Sequence, residues 1–166
     1  KCTDLAIYKA KSVARGGYTF YSQDISMQIQ VRVMLENELR GALEYKEFSL
    51  YYQPQIDIET GEIDSMEALL RWDNRKLGSV SPLRFISIAE DSNLINHIGE
   101  WVLLNSCIFL KKLHEQGYDK ISISVNISIV QLLQHNFIEK IMKIISQIDI
   151  DPKFIELEIT ESVLIE

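Results

Sequence analysis

Residues 65–72 read SMEALLRW, and their alternation predicts one β-strand of a barrel. Successive side chains of a strand point to opposite faces, so two charged side chains share a face here. That face carries Glu67, Leu69 and Arg71. The opposite face carries Ala68, Leu70 and Trp72. The charges are roughly 13 Å apart and cannot neutralise each other. Each needs its own partner or a ligand if it is buried, unless this is an edge strand with its charged face in water.

The composition is that of an ordinary globular protein. The chain has 166 residues, 46% hydrophobic and 25% charged, which corresponds to about one domain. Its net charge of −7 argues against binding to duplex nucleic acid or to an anionic membrane. The two cysteines, Cys2 and Cys107, are far apart in the sequence and do not indicate a disulfide framework. This is typical of proteins in a reducing compartment, so we expect a cytoplasmic location.

The ends of the sequence resemble interior segments. The chain begins at Lys1 within a helical pattern and stops at Glu166 soon after a strand pattern. We therefore expect a piece of a longer protein, which could carry a membrane anchor outside this segment. No apolar run here is long enough to cross a bilayer, so we predict no membrane contact from it.

The first part of the chain reads as two separate pieces. A helix is predicted over 4–14, a glycine stop follows at Gly16, and a short aromatic strand is predicted over 18–21. This helix and strand cannot form a core alone, so they are interpreted as the tail of a preceding domain. A second helix, over 26–45, is either a linker or the first helix of the next domain.

The following segments predict a sheet with covering helices. Strands over 48–58 and 63–72 flank a short turn and form an antiparallel hairpin. Pro54 makes the first of them an edge strand or a bulged one. Helices are then predicted over 83–91, capped by Ser81, and over 95–116 and 129–147; strands are predicted over 120–128 and 154–160. This alternation predicts an α/β fold with a parallel sheet. A TIM-type (β/α) barrel takes about 250 residues, so about half of one is present.

Polar side chains recur on one face of three predicted strands, near the strand ends. They include Glu67, Asn126 and Glu158, and the opposite, apolar faces are expected to lie under helices. Catalytic groups of parallel barrels come from the C-terminal ends of strands. Two carboxylates and an amide oxygen suit Mg²⁺ or Mn²⁺. The alternative is an ordinary half-exposed sheet. The histidines have no ligand spacing and are interpreted as surface or hydrogen-bonded side chains: His97, His114 and His135.

These residues carry a family resemblance. Glu67-Ala68-Leu69 lies in an ordered set that resembles the EAL family of cyclic di-GMP phosphodiesterases from about Leu39 onward. The set comprises Tyr52-Gln53-Pro54, Arg71-Trp72, Gly78, Pro82, Phe85-Ile86, Ala89-Glu90, Leu94-Ile95, Ile98-Gly99, Val125-Asn126-Ile127-Ser128, Gln131-Leu132 and Glu158-Ile159-Thr160-Glu161-Ser162. Residues 1–25 resemble the end of a GGDEF domain, and that order of domains is the family's usual tandem.

The resemblance implies a fold, a reaction and residue roles. The fold is a barrel with an antiparallel first strand, and the domains would be 1–25, 26–45 (linker or first helix) and 46–166. The reaction is hydrolysis of cyclic di-GMP to linear pGpG with two Mg²⁺ or Mn²⁺ ions. The implied metal ligands are Glu67, Asn126 and Glu158, and Glu67 also counts as catalytic. Glu161 would steady the metal-positioning loop. The implied substrate contacts are Gln53 near a guanine, Leu69, and Arg71 on a phosphate.

The family's later elements lie beyond the last residue, including an Asp-Asp-Phe-Gly segment, a lysine, a glutamate and a glutamine. We therefore expect this segment alone not to cleave cyclic di-GMP, and the absent GGDEF signature predicts no synthesis of it. Two functions stay open for the parent protein: a phosphodiesterase, or an inactive cyclic di-GMP sensor or protein-interaction module. Half a barrel has open sheet edges, which predicts a homodimer.

Overall fold

The structure is a computed structural model, and it describes residues 23–159. The helices are α1 (Gln23–Gly41), α2 (Pro82–Asp91), α3 (Ile95–Glu115), α4 (Ile129–Leu132) and α5 (Phe137–Ile148), with a 3₁₀ turn at Pro152–Phe154. The strands are β1 (Phe48–Ile56), β2 (Ile63–Asn74), β3 (Gly78–Val80), β4 (Ser122–Ile127) and β5 (Ile155–Ile159). Residues 1–22 of the predicted GGDEF-like tail (1–25) and Glu161 lie outside the described residues.

The sheet is mixed and has the order β1-β2-β4-β5, with the short β3 paired to the end of β2. β1 runs antiparallel to β2, whereas β2, β4 and β5 are mutually parallel. This confirms the α/β fold with a partial barrel and an antiparallel first strand. Within residues 23–159, β1 pairs only with β2, and a bulge falls between Gln55 and Ile56. Pro54 therefore lies on an edge strand beside a bulge, as predicted.

The helices cover one face of the sheet. Ala68 and Trp72 of β2 and Ile123 and Val125 of β4 are at most 3% exposed. Phe85 of α2 packs edge-on against the Trp72 indole, with ring centroids 5.6 Å apart. The core side of β2 and β4 was predicted correctly, because strict alternation assigns each side chain to a face. The charged face of β2 therefore lies on the opposite, barrel-interior side.

Three helix predictions are wrong in detail. The helix expected over 26–45 occupies Gln23–Gly41 and ends in a turn, where Lys46 has a positive φ of 55°. Ser81 precedes α2, but its side chain makes no capping hydrogen bond. The single helix expected over 129–147 is divided into α4 and α5 by a turn at 133–136. The apolar spacing persists through this turn, which is why periodicity alone did not reveal the break.

The apolar side of β5 also differs from the expectation. Leu157 is 36% exposed and Ile159 is 42% exposed, so no helix within residues 23–159 covers them. β3 was not predicted, because a three-residue strand that begins at Gly78, with φ 69°, has too little pattern to detect. None of the helices within residues 23–159 combines the length and apolar character that a bilayer crossing requires.

Candidate active site

Strand register brings the predicted polar residues onto one face of the sheet. Glu67 of β2 lies opposite Gln53 of β1 and beside Ser124 of β4. Asn126, two residues after Ser124, lies beside Glu158 of β5. Residues paired across a sheet point to the same side, so these side chains share the barrel-interior face. Neighbouring strands are about 4.8 Å apart, which puts Asn126 between the two glutamates.

A hydrogen bond joins the first two members of the set. Asn126 Nδ2 donates to Glu67 Oε1 at 2.7 Å. The amide nitrogen is therefore engaged, and Asn126 Oδ1 accepts no hydrogen bond from the described part of the chain. That oxygen is available to a cation. The amide nitrogen is the group that faces Glu67, because a carboxylate can only accept a hydrogen bond. Cross-strand contact of these two residues is what the metal hypothesis requires.

Glu158 is the third candidate ligand on this face. It is half-buried beside Asn126, and nothing within residues 23–159 forms an ion pair or hydrogen bond with its carboxylate. Two carboxylates and one amide oxygen on adjacent strands fit Mg²⁺ or Mn²⁺, which prefer oxygen ligands. Across residues 23–159, no three His, Cys, Asp or Glu side chains cluster closely enough to hold a metal by themselves. The amide of Asn126 is therefore needed to complete the set.

Arg71 lies on the same face, four residues beyond Glu67. Its Nη1 donates to the carbonyl oxygen of Leu70 at 2.9 Å, and its guanidinium carbon lies 5.5 Å from the centre of the Tyr51 ring. No carboxylate among residues 23–159 forms an ion pair with it. Most of its N–H donors are therefore free to bind an anion, and a phosphate matches their planar fork.

Of the remaining predicted residues, the structure places two on the same face as Glu67. Gln53 is exposed opposite Glu67, where it can contact a ligand on this face. Leu69 is half-buried between Glu67 and Arg71 and provides apolar surface between the two charges. The predicted role of Glu161 has no counterpart among residues 23–159. The histidines are surface or hydrogen-bonded side chains, as predicted: His97 and His135 are exposed, and His114 Nε2 donates to the backbone carbonyl of Ile121 at 2.9 Å.

Glu47 anchors the far end of β2 and was missed in the sequence. Its Oε2 accepts hydrogen bonds from Trp72 Nε1 at 3.0 Å and Asn74 Nδ2 at 2.9 Å. Burial opposes ionisation of this carboxyl. The bonds from Trp72 and Asn74, the backbone N–H of Arg75 and the Arg75 charge nevertheless hold the pKa of Glu47 below its usual value. A buried indole N–H needs a hydrogen-bond acceptor, and this requirement of Trp72 was the sequence signal that could have indicated such a carboxylate.

Comparison with known proteins assigns the family. The sequence profile of the EAL domain matches residues 36–166. The bifunctional diguanylate cyclase/cyclic di-GMP phosphodiesterase MucR of Pseudomonas aeruginosa is 33% identical over 96% of this chain and 23% of its own length. The cyclic di-GMP phosphodiesterase PdeR of Escherichia coli is 34% identical over 98% of this chain and 24% of its own length. This chain thus spans about a quarter of these curated relatives.

Solved structures give the same result. The PaMucR phosphodiesterase in complex with c-di-GMP superposes with a TM-score of 0.74 at 33% identity, covering 77% of this chain and 52% of that one. The cGMP-bound EAL enzyme Bd1971 gives a TM-score of 0.73 at 31% identity, covering 84% of this chain and 40% of that one. On the profile match over residues 36–166 and the strand order of the sheet, this chain belongs to the EAL-domain family.

Proposed function

We propose that this chain is part of a metal-dependent phosphodiesterase that hydrolyses cyclic di-GMP to linear pGpG. The observation that carries the proposal is the hydrogen bond between Asn126 and Glu67, next to Glu158 on the adjacent strand. It brings the Glu67 carboxylate and the Asn126 amide into contact, which supports a shared cation site that Glu158 would join. The names of the relatives, which include cyclic di-GMP phosphodiesterases, support the same reaction.

The residues on this face have complementary roles toward such a substrate. Glu67, Asn126 and Glu158 would hold the divalent ions, two in the complete site. When bound, Mg²⁺ or Mn²⁺ would supply positive charge to the phosphate and would lower the pKa of water, so that water could attack at neutral pH. Attack breaks the bond between phosphorus and the 3′ oxygen, which leaves as a hydroxyl and gives a linear product with a 5′-phosphate.

Arg71 would bind a phosphate of the substrate. Its Cα lies roughly 13 Å along the strand from that of Glu67, so the two charges engage different parts of the dinucleotide. Leu69 lies between them and would pack against the ligand. Gln53, across the hairpin, would contact a guanine. Glu161 would steady the segment after β5 that carries Glu158.

The test compares matched glutamate substitutions in the longest protein that contains this chain. With Mn²⁺ present, we expect turnover of cyclic di-GMP to pGpG, and a loss of at least about 100-fold in Glu67→Gln. Glu62→Gln changes the same group on the exposed hairpin turn and should leave turnover unchanged. Equal turnover in both variants would contradict the proposal. Binding without turnover would instead indicate a sensor.

We also propose that the chain self-associates through its sheet edges. Within residues 23–159, β1 and β5 each pair on one side only. β5 presents the exposed Leu157 and Ile159, and unpaired strand edges favour pairing with another chain. Sedimentation of the 166-residue chain should show a dimer, whereas a single monomeric species at high concentration would contradict this part.

A further inference from the structure

Three helices meet just past the C-terminal end of β4. Ser128 is the first residue after β4, and its Oγ donates to Glu90 Oε1 of α2 at 2.6 Å. Both side chains are half-buried, and the bond links residues 38 positions apart in the sequence. It therefore ties the end of a strand to a helix that is distant along the chain.

The same serine caps α4. Val130 N donates to Ser128 Oγ at 3.2 Å, and Ser128 N donates to Gln131 Oε1 at 3.1 Å. This reciprocal arrangement is a capping box. The hydroxyl of Ser128 thus acts as donor to Glu90 and acceptor from Val130, so both of its hydrogen-bonding functions and its backbone N–H are used.

Gly99 of α3 leaves the space that the Gln131 side chain occupies. A Cβ at this position would lie 1.9 Å from Gln131 Nε2, so the glutamine amide lies directly against the helix backbone. Gln131 is only 6% exposed. The side chain that holds the Ser128 backbone is itself confined by α3. Glu90, Ser128 and Gln131, with Gly99, are called the β4 clamp below.

The β4 clamp lies next to a proposed metal ligand. Asn126 precedes Ser128 by two residues, and Ile127 between them is 4% exposed and packed in the core. The backbone on the C-terminal side of Asn126 is therefore fixed by the clamp. Its side chain is fixed on the other side by Glu67. Binding sites need such support, because displacements of about 0.5 Å already cost affinity.

We propose that Glu90 is a positioning residue that, through Ser128, fixes the Asn126 amide for cation binding. It acts through the strand end and need not contact an ion or the substrate. The inference deepens the proposed function and rests on it for the cation. The position of the Asn126 amide, in contrast, can be measured without metal, which keeps the two questions separate.

The first measurement uses the metal-free chain. The Asn126 side-chain amide protons are followed by NMR and are identified by their absence in Asn126→Asp. In Glu90→Ala we expect them to move towards the position of a free amide and to lose protection from exchange. Glu90→Gln keeps an oxygen acceptor for the Ser128 hydroxyl and should restore the original signals. An unchanged Asn126 amide in Glu90→Ala would overturn the proposal.

A matched control separates positioning from general loss of stability. Glu100 accepts a hydrogen bond from Lys140 at 2.6 Å, and this half-exposed pair links α3 to α5 without touching β4. Glu100→Ala should lower stability to unfolding by urea yet leave the Asn126 amide unchanged. If Glu90→Ala does not fold, Ser128→Ala removes the same bond together with the side-chain cap of α4 and should give at least the same shift. An unchanged amide there would also overturn the proposal.

The second measurement is Mn²⁺ affinity. Outer partners of metal ligands are worth roughly 10–100-fold in affinity, so Glu90→Ala should weaken Mn²⁺ binding by that factor. Glu90→Gln and Glu100→Ala should bind as the unsubstituted chain does. Equal affinity in Glu90→Ala would overturn the clamp's role. If the longest protein that contains this chain binds no Mn²⁺, the proposed function fails, while the NMR result still decides whether Glu90 positions Asn126.

Discussion

Removal of the Glu47 carboxylate should destabilise the fold strongly. The Glu47 side chain is 5% exposed, and Glu47→Ala removes the acceptor of two side-chain donors, one of which keeps only a longer bond, of 3.4 Å, to Glu38. Those donors belong to Trp72, which is 0% exposed, and Asn74, which is 3% exposed. Each unsatisfied buried group costs about 1–3 kcal/mol. The ion pair to Arg75 adds little, because Arg75 is half exposed. We expect a total loss of about 3–5 kcal/mol.

Urea unfolding followed by circular dichroism measures this loss. Glu44→Ala is the control, because Glu44 is exposed in the same turn and should change stability by less than about 0.5 kcal/mol. A loss below about 1 kcal/mol in Glu47→Ala would refute the reasoning that the two donors depend on this carboxylate.

The same network predicts a pH dependence. The pKa of Glu47 is lower in the folded than in the unfolded chain, so ionisation stabilises the fold above the unfolded pKa of about 4.3. That contribution is lost as the pH falls through the lower, folded pKa. The stability difference between the unsubstituted chain and Glu47→Gln should therefore be constant near pH 7 and shrink below about pH 4. A difference that grows on acidification would contradict this sign.

Three further predictions follow from single sites. Gly99→Ala should cost about 1–3 kcal/mol in urea unfolding, because its Cβ would overlap the Gln131 amide; an unchanged midpoint would contradict the close packing. Burial raises the pKa of the Cys107 thiol to about 11. In a Cys2→Ser background, the folded chain should therefore react with Ellman's reagent at pH 8 about 100-fold more slowly than the unfolded chain. Equal rates would show that the thiol is accessible in the folded chain. Arg71→Lys should weaken cyclic di-GMP binding by about tenfold in calorimetry, because lysine lacks the planar fork, whereas unchanged affinity would exclude a bidentate phosphate contact.

Strand alternation predicted the faces of the sheet better than helical spacing predicted the helices. Along β2 and β4 the side chains alternate strictly, so the sequence was enough to assign Glu67 and Asn126 to the polar face. The break between α4 and α5 was not visible, because Phe137 continues the apolar spacing beyond the turn. Val33 of α1 is apolar yet 51% exposed, since the helix packs on the core mainly through Leu35 and Leu39.

Contacts between distant segments could not be predicted. The Asn126–Glu67 bond depends on the register between β2 and β4, which alternation leaves undetermined. The burial of Glu47 depends on the position of Trp72, far along the chain. The spacing of Ser128 and Gln131 is that of a capping box, so this part of the β4 clamp had a readable signal that was not used.

The most direct test of the central claim is a crystal structure of the longest protein that contains this chain, grown with Mn²⁺, with anomalous diffraction to locate the ion. We expect manganese on the barrel-interior face, with oxygens of Glu67, Asn126 and Glu158 within about 2.5 Å of bound ions. A well-ordered structure in millimolar Mn²⁺ with no ion at these three residues, or with the ion bound elsewhere, would contradict it.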